Sequence, residues 1–89
     1  MNEDKLEHAV SRGAQAEALL RNELLVEAFD RLDFEYVKAW RVTPARDTIA
    51  REKLWQAVNV LGKVREHLTG MIANGKVAQA ELEMRNKRP

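Results

Sequence analysis

Leu25, Phe29, Leu32, Tyr36 and Trp40 follow one another at steps of 4, 3, 4 and 4. Only an α-helix brings residues at that spacing onto one side of the backbone. The stripe extends over four turns, which makes a strand reading untenable for this stretch. The rest of the chain agrees with it. Only 4 Gly and 2 Pro interrupt 89 residues, and no run shows period-two alternation between turn signals. The sequence therefore predicts an all-α fold.

Punctuation divides that fold. An alanine-rich stripe of Leu6, Ala9, Val10, Ala14, Ala16, Leu19 and Leu20 predicts a first helix over about 3–21, weakened in its middle by Gly13. Asn22 reads as the N-cap of a second helix running to Val42. Pro44 places a turn at 43–47, with Thr43 and Asp47 as rival caps for the helix that follows. A third helix is expected over about 48–73, with Leu54, Val58, Leu61, Leu68 and Ile72 on its stripe. Gly62 and Gly70, inside it, mark either a close backbone approach or a weak point. Asn74-Gly75 reads as its stop signal, followed by a short helix or tail over 76–84.

Two long helices joined by a five-residue turn predict an antiparallel hairpin, flanked by a shorter N-terminal helix and a short C-terminal helix or tail. In that register Tyr36 should meet Leu54, and Leu32 should meet Val58 and be buried. Residues 1–84 read as one helical domain, and 85–89 as a basic terminus that frays. Leu24, Val26, Phe34, Val37 and Val42 fall off the main stripe, so the second helix is expected to be contacted on more than one side.

Composition narrows the function. The absence of cysteine excludes disulfides, Cys-ligated metal centres and a thiol nucleophile. No apolar run approaches the roughly 20 residues that cross a bilayer, so no membrane partner is expected. Met1-Asn2-Glu3-Asp4 is acidic, unlike a signal peptide. The formal net charge is only +1, but it is unevenly spread. Residues 1–40 hold nine acids and five bases; residues 41–89 hold ten bases and five acids. Either the two halves pack and cancel, or the chain presents a basic face.

Catalytic chemistry has little to stand on. His8 lies near Glu3, Asp4 and Glu7 without metal-ligand spacing, and His67 sits in no His-Glu-x-x-His context. There is no glycine-rich phosphate loop, and Ser11 lacks a nucleophile motif. Asp30 and Asp33 read as the polar side of a charged helix. No cofactor, metal site or enzymatic activity is expected. The richest cluster is the tip of the predicted hairpin, where Trp40, Arg41, Arg46, Arg51, Lys53 and Trp55 gather. Trp and Arg are enriched at binding hot spots, and basic residues with open aromatics also suit nucleic acid. The structural alternative is that both tryptophans pack within the hairpin and the arginines pair with Glu35, Asp47 and Glu52.

The stretches Ala18-Leu19-Leu20-Arg21-Asn22-Glu23-Leu24-Leu25-Val26-Glu27-Ala28-Phe29, Trp40-Arg41-Val42-Thr43-Pro44-Ala45-Arg46-Asp47 and Arg51-Glu52-Lys53-Leu54-Trp55 resemble small helical proteins encoded by tailed phages and prophages. The similarity spans about residues 12–82. It implies a minor virion component, a packaging accessory or a small effector that inhibits a host protein, located in the host cytoplasm and in the virion. Small terminase subunits are helical too, but no helix-turn-helix is present here.

The leading expectation is thus a non-catalytic protein that acts through protein–protein contacts, with itself as a homo-oligomer or with other phage proteins. The rival is nucleic-acid binding through Arg41, Arg46, Arg51, Lys53 and the terminal Arg85, Lys87 and Arg88.

Overall fold

A computed structural model describes residues 2–87. Met1, and with it Arg88 and Pro89 of the expected basic terminus, lie outside the described residues. Among these the chain is all-helical: α1 (Glu3–Arg21), α2 (Glu23–Val42) and α3 (Thr48–Asn86), with no strand. The chain divides into two compact units, Met1–Asn22 with Glu66–Pro89, and Glu23–Arg65.

In the first unit, α1 begins at an N-cap that the sequence reading did not single out. Asn2 is extended, and its side-chain oxygen accepts from the Lys5 N–H at 2.8 Å. Glu3 and Asp4 follow in the first turn, where negative charge suits the helix dipole. The helix ends at Asn22, which is extended and donates its N–H to the Leu19 carbonyl at 3.1 Å. Asn22 is thus the C-cap of α1 as well as the single residue before α2.

The buried residues of α1 are Leu6, Gly13 and Ala16, and those of α3 are Gly75 and Ala78. Leu6 is the largest of them, at 1% exposure. The small residues let two backbones meet. A Cβ added to Gly13 would lie 2.9 Å from the Met71 carbonyl oxygen and 3.0 Å from the Gly75 Cα. A Cβ on Gly75 would lie 3.1 Å from the Ala9 carbonyl oxygen and 3.1 Å from the Gly13 Cα.

This contact corrects the expected end of the third helix. Asn74-Gly75 does not stop it, and there is no separate short helix over 76–84; α3 continues through both residues to Asn86. A glycine ends a helix when it turns left-handed, and no glycine here has positive φ. Gly75 stays helical because its missing side chain admits α1. Arg85 lies within the helix, with its guanidinium 3.1 Å from Glu81. Gly62 and Gly70 are different: a Cβ at either would meet nothing within 4 Å. They admit no close approach and leave only their weak helix propensity.

In the second unit the turn falls at 43–47 as expected. Thr43 donates its hydroxyl back to the Ala39 carbonyl at 2.7 Å as α2 ends. Asp47, the second of the rival caps, starts α3: its carboxylate accepts from the Ala50 N–H at 3.2 Å. No residue of α2 is fully buried. Its half-buried positions include Leu25, Phe29, Asp33, Tyr36 and Val37; those of α3 in this unit include Leu54, Ala57, Val58, Leu61 and Arg65.

Leu32 is not among them. It is 42% exposed, so the expected burial against Val58 does not occur. Asp33 takes the inward place. Arg65 donates to Asp33 at 2.6 Å and to Asp30 at 3.2 Å, with its guanidinium carbon 5.2 Å from the Phe29 ring centre. That three-point attachment turns the Asp33 side of α2 toward α3 and the Leu32 side outward. Of the two acids expected on the polar side of the helix, Asp30 stays largely exposed while Asp33 is half-buried, and both, as acids of the first half, pair with a base of the second.

Candidate partner-binding surface

The six residues expected at the tip divide into two kinds. Arg51 has an internal job. Its guanidinium carbon lies 3.9 Å from the centre of the Trp40 ring, and Nη1 donates to the Trp40 and Thr43 carbonyls at 3.3 and 2.9 Å. Carbonyls at the end of a helix lack intrahelical donors. Arg51 therefore closes the C-terminus of α2 while stacking on its last aromatic ring. The planar guanidinium can do both at once. The alternative in which the arginines pair with Glu35, Asp47 and Glu52 does not describe Arg51, whose guanidinium goes to the two carbonyls while Asp47 caps α3.

The other five stay available to a partner. Arg41, Arg46 and Lys53 are exposed, and no hydrogen bond or ion pair engages them among the described residues. Trp40 is 39% exposed despite its cover from Arg51, and Trp55 is 61% exposed. The tryptophans are neither packed away within the unit nor isolated. With Val37, Leu54 and Val58 they line an apolar hollow of about 220 Å³.

A second hollow, of about 530 Å³, adjoins the first through the shared Val37 and Val58. Asp33, Phe34, Lys38 and Arg41 complete its lining. Phe34 is not among the six residues expected at the tip. It is 61% exposed, with the Lys38 ammonium 6.0 Å from its ring centre. Its signal was visible: an aromatic off the main stripe of a helix already well supplied with apolar residues. What the spacing did not give was how exposed it would be.

Chemically, this surface offers aromatic area, one acid and several cations. Among the described residues no three His, Asp or Glu side chains converge as a metal site, and no helix is long and apolar enough to cross a membrane. No protein-family model matches the chain, and neither a curated protein nor a solved structure is similar to it.

Proposed function

We propose that this chain is a non-catalytic helical protein that acts by binding protein, through the face of the Glu23–Arg65 unit that carries Phe34, Trp40 and Trp55. We read that unit as an antiparallel hairpin. In support, Arg51, early in α3, reaches residues 8 and 11 positions back, while Arg65, later in α3, reaches residues 32 and 35 positions back. Steadily widening separations are what antiparallel helices produce.

The observation that carries the functional reading is α2 itself, a helix of 20 residues with none fully buried and with Phe34 open to solvent. A contiguous aromatic surface rimmed by charge is a protein-binding feature. Nucleic-acid binding fits less well. Arg51, one of the cations that reading uses, is committed to α2, and the net charge is +1. The resemblance to helical proteins of tailed phages makes the partner this chain itself or another component of a phage particle or its packaging apparatus.

Sedimentation velocity tests this, run on the purified chain at micromolar concentrations, alone and with candidate phage virion and packaging proteins. Self-association or co-sedimentation is the expected result. A strictly monomeric chain that binds none of those proteins would refute the reading.

A further inference from the structure

We infer that the outward face of α2 mates with the same face of a second copy of this chain, antiparallel, about a two-fold axis at Phe34. The inference rests on the protein-binding reading above and specifies the partner.

Glu27, Asp30, Phe34, Val37, Lys38 and Arg41 lie on one face of α2, since they recur at helical steps around Phe34. The face points away from the half-buried Leu25, Phe29 and Tyr36. All but Val37 are exposed. Apart from Arg31, which pairs with Glu35 on its own helix, the charges of this face form a palindrome of opposite sign about Phe34. Asp30 lies four residues before Phe34 and Lys38 four after; Glu27 lies seven before and Arg41 seven after.

A two-fold axis through Phe34 sets each residue opposite the one equally far on the other side in the partner copy. Lys38 then faces Asp30 and Arg41 faces Glu27, twice each, with the two Phe34 rings meeting on the axis. A parallel pairing would instead set Lys38 on Lys38 and Glu27 on Glu27. The charges therefore select both the partner and the direction, as self-complementary interfaces require.

Shape agrees with charge. The hollow of about 530 Å³ beside Phe34 gives an incoming ring a place to enter. A single helix face is smaller than the roughly 800 Å² that each partner contributes to a standard interface. The adjoining Trp40–Trp55 hollow, continuous through Val37 and Val58, extends it. The Arg65 pair leaves the Asp30 side chain 72% exposed and able to accept from a partner.

The test is a charge exchange. One double variant is Lys38→Glu with Arg41→Glu; the other is Glu27→Lys with Asp30→Lys. Each alone sets like charges against each other, and self-association should weaken on the order of 100-fold. Mixed in equal amounts, the two variants restore every pair as opposites, and a heterodimer should form. Far-UV circular dichroism checks that each is helical.

A second readout does not depend on those variants folding. Phe34→Cys gives this cysteine-free chain a single thiol on the axis, and mild oxidation should link it into dimers, whereas Glu35→Cys should not. Self-association that survives both double variants, failure of the mixture to pair, or equal cross-linking at 34 and 35 would overturn the inference while leaving the protein-binding reading intact. A wild-type chain monomeric at micromolar concentrations would also overturn it. That result would reach the broader reading only if no candidate phage protein bound either.

Discussion

Gly13→Ala and Gly62→Ala are the same chemical change in the middle of two helices, and they should shift stability in opposite directions. In a solvated helix, Ala is favoured over Gly by about 1 kcal/mol, because glycine loses more backbone freedom on folding. At Gly62 nothing lies within 4 Å of the new methyl, so that gain should appear nearly whole, as about 0.5–1 kcal/mol. At Gly13 the methyl meets a carbonyl oxygen at 2.9 Å and a Cα at 3.0 Å, both backbone atoms of α3. Neither can rotate away, so the backbones must part by about 0.5–1 Å to reach ordinary contact. A gap of that size forfeits roughly a quarter to a half of each dispersion contact across it. The contacts at stake are those of Leu6, Ala16 and Ala78, the buried apolar side chains of the described residues. Overpacking of this kind costs about 1–3 kcal/mol, so Gly13→Ala should be destabilising even after the propensity gain. Urea denaturation followed by circular dichroism measures both variants. Equal stabilisation by the two would refute the backbone contact between Gly13 and Gly75.

Three further measurements test the packing within the two units. Leu32→Ala should cost only about 1 kcal/mol because the side chain is largely exposed, whereas Leu6→Ala should cost about 2–5 kcal/mol; thermal melts of both decide it. Arg51→Lys should lose about 1–2 kcal/mol in urea titration, because an ammonium cannot both stack on Trp40 and bridge two carbonyls. A double-mutant cycle of Arg65→Met and Asp33→Asn should return a coupling of about 0.5–1 kcal/mol that shrinks with added salt, since both side chains are part-exposed.

Local signals were read well where local physics decides. The bounds of α1 and α2 and the turn at 43–47 follow from capping residues, Pro44 and apolar spacing, all of which act within a few residues. Asn74-Gly75 was misread because glycine serves two ends, turning left-handed past a helix or admitting another backbone. Choosing between them requires knowing that Gly13 lies opposite, and no local window contains both. Leu32 was misplaced for a related reason: spacing gives a stripe, but Arg65 fixes which edge of the stripe faces inward. At the candidate surface the aromatic and basic residue types were legible. The roles were not, since Arg51 looks like Arg41 until the Trp40 and Thr43 carbonyls at the end of α2 are seen beside it.

The separation of the two glycines along the chain also sets an order of events in folding. Contacts within Glu23–Arg65 close loops of 8 to 35 residues, whereas the Gly13–Gly75 crossing must close one of roughly 60, and closure entropy grows with loop length. The short turn at 43–47 keeps the contacts between α2 and the start of α3 close in sequence, a low-contact-order arrangement. The terminal unit can nucleate only when distant parts of the chain meet, and its small residues offer little adhesive surface before they fit. The glycine crossing is therefore expected to form late, so that Gly13→Ala should speed unfolding more than it slows refolding in stopped-flow measurements.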